Sequence, residues 1–273
     1  MNVGTEMRAQ VITPSEWGPN LPVITGSGSC REIVGARTGA ELRSLYMIEL
    51  GLGSATVPWR HESEAVYYLL SGEVQVAVLG EPGAENTVVE GGMFHVLPST
   101  RYVIRATAES MLVGGPSPVD PSFGDAAEPV DAAPTATDGR QGITHHHRDE
   151  PGLMVPFISA DARMVVWYGA GAVSANMNYV VLQPGERNIE HLHRYSEDTI
   201  YILEGHGTAE DISNGNKLGF GPGDTVTIPP GVVHAIAADR GEVVVSVGGP
   251  CPADLDMLRA VGVDVEALTA ELE

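Results

Sequence analysis

Three histidines in the second half of the chain have the spacing of metal ligands. His191 and His193 are separated by a single residue, and His234 lies further along, just after a Pro-Pro-Gly turn. Residues two apart on a β-strand point to the same side, so the first two imidazoles would project into one space. Imidazole nitrogen commonly binds divalent transition metals, and the set therefore predicts a site for Mn, Fe, Co, Ni, Cu or Zn.

A carboxylate close behind the His-x-His pair would complete the ligand set. Glu197 and Asp198 are both available, at the start of a segment with strand character. Three imidazoles and one carboxylate would leave coordination positions open for water or a substrate, as in catalytic metal sites. The segment alone does not choose between the two carboxylates.

Short β-strands have to hold these residues in place. Glycine (33 residues) and proline (19) are frequent and 43% of the residues are apolar, which indicates many turns around a buried core. Turn residues recur about every ten positions, the spacing of a β-sandwich or barrel. Strand character is found at residues 45–50, 66–70, 74–79, 111–113, 164–168, 178–182, 199–203, 225–228 and 243–247.

The two halves of the chain repeat each other. Residues 66–72 align with residues 199–205, and in both halves a glycine and then a proline follow at similar distances. Two copies of a strand-rich unit predict two barrels in tandem. We expect an N-terminal barrel at 1–118, a Pro-, Ala- and Asp-rich linker at 119–150, a second barrel at 151–250, and a tail at 251–273 with two short helices.

The metal pattern resembles the two sequence motifs of the cupin superfamily. Residues 185–205 match the first motif, and residues 223–234 match the second without a gap. The resemblance implies an all-β bicupin, with tandem double-stranded β-helix (jelly-roll) barrels of the RmlC-like type and one divalent transition metal in the second barrel. On the family's register the carboxylate position falls at Asp198, which we prefer. Glu197 has the family's side chain but stands one position early.

The first half has the same skeleton without the ligands. Two alignments are open, and the ligand positions hold Pro58, Arg60 and Ala65 in one, or Trp59, His61 and Glu64 in the other, with Val103 at the end of the second motif. Because so few ligands remain, we expect a metal-free barrel in which Arg60, His61 and Glu64 are polar pocket residues or, by preference, exposed turn residues. The run from His145 to His147 is expected in a solvated loop.

Cupin barrels host many reactions, and three functions are consistent with this site. The first is a metal-dependent dioxygenase, and the second is redox-neutral hydrolysis, isomerisation or lyase chemistry with the metal as a Lewis acid. The third is a non-catalytic small-molecule-binding or sensor protein. The chain is also similar to the (S)-ureidoglycine aminohydrolase family in its two-barrel organisation. That family's metal segment reads Glu-x-His-x-x-x-His, however, so its substrate does not carry over.

Charge and cysteine content restrict the partners and the compartment. The chain has 36 acidic and 15 Lys or Arg residues, a net charge of −21, which disfavours nucleic acid and anionic membranes as partners. Two cysteines without ligand spacing and no apolar leader in residues 1–10 predict a cytoplasmic protein. We expect a small-molecule substrate and a homo-oligomer, a dimer or larger, because exposed barrel edges invite pairing.

Overall fold

The structure is a computed structural model that describes residues 7–80, 83, 85–124 and 142–270. The chain divides into two compact units. Of the described residues, those within 17–150 and 165–177 form the unit that we call the first barrel, and those within 1–16, 151–164 and 178–273 form the second barrel. Residues 125–141, which are most of the predicted linker, lie outside the described residues, as do residues 1–6 and 271–273.

The first barrel consists of two antiparallel sheets. Strands are numbered along the whole chain from β1 (Gln10–Ile12), and those of this barrel are β2 (Ile24–Thr25), β3 (Gly28–Val34), β4 (Leu45–Leu50), β5 (Ala55–Thr56), β6 (Glu64–Ser71), β7 (Glu73–Val78), β8 (Glu85–Val89), β9 (Gly92–Val96), β10 (Tyr102–Ala106), β11 (Ser110–Ser117) and β12 (Ile143–His147). The sheet orders are β12-β9-β6-β11-β4-β3 and β2-β5-β10-β7-β8. Alternate residues of a strand share a face, so Ala65, Tyr67 and Leu69 of β6 all enter one apolar core.

The second barrel has the same two-sheet plan. Its strands after β1 are β13 (Leu153–Met154), β14 (Asp161–Val166), β15 (Met177–Leu182), β16 (Glu197–Glu204), β17 (Gly207–Asp211), β18 (Asn216–Phe220), β19 (Thr225–Ile228), β20 (His234–Ala238) and β21 (Val244–Cys251). The sheet orders are β1-β19-β16-β21-β15-β14-β13 and β18-β17-β20. Ile202, Val226 and Ile236 pack in its core. The predicted all-β jelly-roll architecture is confirmed.

Residues 7–16 belong to the second barrel, although the sequence analysis assigned them to the first. Residues 10–12 of β1 pair antiparallel with residues 225–227 of β19. The backbone N–H of Ala9 also donates to the carboxylate of Asp211, at 3.0 Å. This arm covers a sheet edge that would otherwise have unpaired backbone groups. The sequence did not reveal this strand, because β1 has only three residues and its partner strand lies more than 200 positions away.

The three consecutive histidines form a strand and not the expected loop. His145, His146 and His147 lie in β12 and pair with residues 92–94 of β9. All three are only partly exposed. Identical neighbours cannot show the alternation of apolar and polar residues that identifies a strand in a sequence, because both faces have the same side chain.

The tail has the two short helices that its apolar spacing predicted. Helix α1 (Leu255–Ala260) and helix α2 (Val265–Ala270) have six residues each. Gly262 follows α1 with φ of 87°, a left-handed conformation that suits glycine after a helix end. Across the described ranges no helix is long and apolar enough to cross a membrane.

Candidate metal centre

Backbone pairing brings the three histidines of the second barrel together. His191 and His234 form an isolated antiparallel bridge. The N–H of His191 donates to the carbonyl of His234 at 3.1 Å, and the reciprocal bond is 2.8 Å. The carbonyl of His193 accepts from the N–H of Gly231 at 2.7 Å, which fixes the turn before β20 against the His-x-His segment. The sequence analysis placed His191 and His193 on a strand, whereas they lie between β15 and β16 in a segment with isolated bridges only. The bridge at His191 and the predicted turn bring all three rings to one place.

The three imidazoles converge on a small volume. One ring nitrogen from each of His191, His193 and His234 lies within 4.8 Å of the other two. The ring centroids are 4.3 Å apart for His191 and His234, 5.1 Å for His191 and His193, and 5.4 Å for His193 and His234. Nitrogens bound to one metal ion at about 2.0–2.1 Å lie at most about 4 Å apart, so small ring movements suffice to reach that geometry.

Each imidazole is oriented by a partner of its Nδ1 atom. Nδ1 of His191 lies 2.8 Å from the carbonyl of Ile189, and Nδ1 of His234 lies 2.9 Å from the carbonyl of Val232. A carbonyl only accepts, so in both rings Nδ1 carries the proton. The Nε2 lone pairs of these neutral rings are then available to a metal, an arrangement typical of histidine ligands.

The carboxylate of Asp198 lies beside the three imidazoles. Its Oδ2 atom lies 3.5 Å from Nε2 of His234 and 3.7 Å from Nε2 of His193, and the residue is only 4% exposed. Burial alone would raise the pKa of Asp198, but His234, His193 and His191 together hold the pKa below its usual value. Asp198 and Ile200 line the same pocket. Strand alternation therefore directs the intervening Thr199 and the preceding Glu197 to the other face of β16.

Substitution of Asp198 and of Glu197 should have different effects on metal content. Replacing Asp198 by alanine is expected to lower the bound metal per chain by at least about tenfold, because it removes a charged group that faces the three imidazoles. Replacing Glu197 by alanine should leave metal content near wild type. Elemental analysis of the two purified variants checks this, and the reverse order would assign the carboxylate to Glu197.

Buried atoms without hydrogen-bond partners support a metal at this position. Nε2 of His193, Nε2 of His234 and Oδ1 of Asp198 are buried, and each has no partner among the described residues. Leaving a buried polar atom unsatisfied costs about 1–3 kcal/mol, so three in one cluster call for a common partner. Two imidazole nitrogens and a carboxylate oxygen are all acceptors in these protonation states, and a cation satisfies them together. The donor set therefore fits a divalent transition metal.

The environment keeps His191 unprotonated at neutral pH. Burial, followed by the neighbouring rings of His234 and His193, lowers the pKa of His191 to about 4. A neutral imidazole is the form that binds metal. The ring is therefore ready for coordination without first losing a proton in the neutral range.

A pocket opens directly beside the histidines. It encloses about 600 Å³ of empty space, including its open mouth, a volume suited to a small organic molecule. The walls are mostly apolar and include Val155, Ile158, Val180, Leu182, Ile200 and Ile236. Polar side chains are few, with Arg163, Asn178 and Ser246 among them. The pocket thus has a polar, metal-competent end and an apolar body.

Asp254 belongs to the site and was missed in the sequence. Its Oδ2 atom lies 2.8 Å from Nδ1 of His193. Its Oδ1 atom accepts the N–H groups of Asp256 and Met257 and caps the N-terminus of α1. Burial would raise the pKa of Asp254, but the bond to His193 and these N–H donors hold it below its usual range. An aspartate at the head of a predicted helix indicates a cap, whereas its second partner requires the fold.

Replacing Asp254 by asparagine is expected to weaken metal binding by about 10–100-fold, the usual effect of altering the partner of a metal-bound histidine. Asparagine keeps the side-chain shape, and its Oδ1 atom can still cap the helix, but it cannot act as a charged acceptor for Nδ1 of His193. The measurement is a metal titration followed by calorimetry. Asp256→Asn, at an exposed position of the same helix, is the matched control and should bind like wild type. Equal affinities in the two variants would contradict this role.

The polar residues of the first barrel are not exposed turn residues as we preferred. His61 and Glu64 are each 4% exposed, and Arg60 is partly buried. The Glu64 carboxylate accepts the N–H groups of Val173, Ser174 and Ala175 at 2.9, 2.6 and 2.7 Å. Burial would raise the pKa of Glu64, but His95 and these donors lower it to about 2. Glu64 thus anchors a backbone turn, which a sequence motif does not reveal.

Comparisons with known proteins agree with this architecture. The cupin domain family model matches residues 178–248. No curated protein sequence matches the chain. Among solved structures, a single-site variant of Bacillus subtilis oxalate decarboxylase has a TM-score of 0.66 at 14% identity, covering 96% of this chain and 83% of that one. Lactobacillus farciminis oxalate decarboxylase, in its formate complex, has a TM-score of 0.64 at 15% identity, with 96% and 93% covered.

A further structure of the Bacillus subtilis enzyme, from work on its Mn(II) centres, has a TM-score of 0.63 at 16% identity, covering 96% of this chain and 83% of that one. At these identities the likeness establishes the fold. The fold confirms the predicted all-β, two-barrel jelly-roll architecture, and the cupin domain match lies within the second barrel. The similarity to the ureidoglycine aminohydrolase family stays a prediction.

Proposed function

We propose that this two-barrel cupin protein is a metal-dependent enzyme that acts on a small organic molecule in its second barrel. The ligands would be His191, His193, Asp198 and His234, with one divalent transition metal per chain. The observation that carries the proposal is the group of buried acceptor atoms beside the pocket, which make no hydrogen bond among the described residues. A bound metal would supply Lewis-acid or redox chemistry to an oxygen atom of the substrate.

The pocket residues indicate the substrate class. Arg163 is the cationic side chain among the lining residues, and its side chain is 15% exposed. Its guanidinium lies 5.1 Å from the ring centre of Tyr179 and 3.0 Å from Oδ1 of Asp161, so two neighbours restrain it. A restrained guanidinium is suited to a carboxylate or an enolate. We therefore favour a small organic acid with an apolar body as substrate.

Asn178 would orient the polar part of that substrate. It is 9% exposed, and its Oδ1 atom has no hydrogen-bond partner within the described part of the chain. Asn178 lies on β15 opposite Gly248, and Val180 on the same strand lies opposite Ser246. Asn178 and Ser246 therefore belong to one face of the sheet and would together offer an acceptor and a hydroxyl to the substrate.

Two reaction classes remain open for this centre. Decarboxylation is the activity named for the oxalate decarboxylases of the same fold, and it would be redox-neutral for a small acid. Dioxygenation would consume O₂ at the same metal. Both use the same ligand set, so the fold does not separate them.

Metal analysis followed by an activity screen tests the proposal. The purified protein should contain about one divalent metal per chain, with Mn(II) tested first. The metal-loaded protein is then incubated with small hydroxy, keto and enolic acids with and without O₂, and products are identified by mass spectrometry. Turnover that persists without O₂ supports the redox-neutral class, and turnover that requires O₂ supports a dioxygenase.

Two results would contradict the proposal. Binding of an acid without any turnover would indicate a non-catalytic binding protein, and absence of metal would reject the site itself. Replacing Arg163 by methionine should raise KM for an acid substrate more than it lowers kcat, because it removes a binding cation and none of the proposed metal ligands. We propose assembly into a homo-oligomer as well, which the mass in light scattering tests.

A further inference from the structure

The backbone of the first barrel reproduces the bridge that assembles the metal centre of the second. Trp59 and Tyr102 form an isolated antiparallel bridge, as His191 and His234 do. The N–H of Trp59 donates to the carbonyl of Tyr102 at 2.9 Å, and the reciprocal bond is 3.0 Å. Trp59 therefore stands at the position of His191, and Tyr102 at the position of His234. For the His-x-His positions, this bridge favours the alignment with Trp59 and His61 over the one with Pro58 and Arg60.

Strand register extends the correspondence to the carboxylate. In the second barrel Asp198 pairs with Pro250 of β21. In the first barrel Ala65 pairs with Pro116 of β11. Each of these prolines stands two positions before a second proline in the same Pro-x-Pro sequence. Ala65 is therefore the counterpart of Asp198.

A hydrogen bond three residues before the first ligand position is also duplicated. The Thr56 hydroxyl accepts the N–H of Ile104 at 3.1 Å. In the second barrel the Asn188 side chain accepts the N–H of Ile236 at 2.8 Å. The two barrels therefore share side-chain contacts as well as backbone contacts. This supports a residue-by-residue correspondence beyond a common fold.

The position that corresponds to His193 still holds a histidine in the first barrel, and the aspartate partner of that histidine is also present. His61 corresponds to His193, because the carbonyl of each accepts an N–H from the following turn at 2.7 Å. Nδ1 of His61 lies 3.1 Å from Oδ2 of Asp120, as Nδ1 of His193 lies 2.8 Å from Oδ2 of Asp254. Both aspartates are the last residue of a Pro-x-Asp sequence. The first barrel thus retains one ligand already oriented for a metal.

Phenol groups occupy the place where a metal would bind. The hydroxyl of Tyr102 lies 2.9 Å from Nε2 of His61, and the hydroxyl of Tyr67 lies 2.6 Å from that of Tyr102. His61, Tyr102 and Tyr67 thus form one hydrogen-bonded chain that begins at the carboxylate of Asp120. Phe123 stacks on His61 with ring centres 5.5 Å apart. Trp59 and Tyr102 are 1% and 0% exposed and fill the remaining space.

We infer that the first barrel contains a closed metal site, in which Trp59, Ala65 and Tyr102 replace three ligands while His61 and Asp120 remain in the binding arrangement. The class of ligand that this site would accept is a divalent transition metal. Three substitutions should reopen it, namely Trp59→His, Ala65→Asp and Tyr102→His.

The test uses the full-length chain with the second site removed by His191→Ala. In that background the three substitutions are introduced together, and bound Co(II) and Zn(II) are measured after dialysis by elemental analysis and by the visible absorption of Co(II). We expect a gain from near zero to about one metal per chain. Adding His61→Ala to the same variant is the matched control and should abolish the gain.

Folding of each variant is monitored, so that a loss of metal binding can be distinguished from a loss of structure. A folded triple variant, with near-native circular dichroism and cooperative melting, that binds no metal would overturn the inference, as would metal that persists after His61→Ala. If the triple variant does not fold, Ala65→Asp with Tyr102→His retains Trp59 in the core and should still bind one metal, more weakly. Failure of both variants to fold would also overturn it, because the correspondence requires these positions to accommodate ligand side chains.

Discussion

Replacing His191 by alanine is expected to remove nearly all bound metal and to lower the affinity by at least about 100-fold. His191 faces both other imidazoles, and its backbone bridge to His234 does not depend on its side chain. The variant should therefore keep its fold while losing one of the ligands. The measurement is metal per chain by elemental analysis, with far-UV circular dichroism as the check of folding.

The control for His191→Ala is His206→Ala in the same barrel. The His206 side chain is 60% exposed, and its Nδ1 atom lies 3.8 Å from a carboxylate oxygen of Glu242. The His206→Ala substitution removes a histidine and its nonspecific affinity for metal but leaves the three-histidine cluster unchanged. The metal content of this variant should therefore equal that of wild type. Similar metal content in the two variants would exclude His191 as a ligand and would contradict the proposed site.

Acidification is expected to destabilise the metal-free protein, and His191 should account for a large part of the effect. The pKa of His191 is lowered to about 4 by burial and by the two neighbouring imidazoles, whereas in the unfolded chain it is about 6.5. The unfolded state therefore binds the proton first. Stability should fall as the pH drops from about 6.5 to about 4, by up to about 3 kcal/mol at the low end.

The two carboxylates of the first barrel with strongly lowered pKa values titrate in a more acidic range than His191. The pKa values of Glu64 and Asp120 are both lowered to about 2, so their contribution to stability is present above about pH 4 and is lost below it. The window between about pH 6.5 and 4.5 therefore reports mainly on histidines. Urea denaturation of chelator-treated protein across this window gives the stability directly.

The comparison with His191→Ala isolates the contribution of that ring. The variant shares the acidic surface, whose self-repulsion also changes with pH, but it lacks the titrating side chain. We expect a clearly flatter dependence of unfolding free energy on pH in the variant. Loading wild type with metal should move the decline to lower pH, because the metal competes with the proton for the same nitrogen. Identical slopes for wild type and variant would contradict the assignment.

The sequence alone predicted the candidate ligands and the class of fold. The residue types and the spacing of His191, His193 and His234 predicted a cluster of imidazoles, because strand alternation and turn residues are local properties of the chain. The internal repeat predicted two barrels for the same reason, since each copy records the same local pattern. The apolar spacing of the tail likewise predicted its two helices.

Pairings between distant segments were decided only by the tertiary structure. A count from the sequence placed the second motif of the first barrel at Val103, whereas the bridge to Trp59 places Tyr102 there. The side chain of Asp198 faces the imidazoles, whereas that of its neighbour Glu197 lies on the other face of the strand. The position of α1 brings Asp254 to His193. A shift of one residue reverses the facing of a strand, and a hydrogen bond across more than 60 positions leaves no local signal. These contacts depend on register and docking, which are properties of the folded chain.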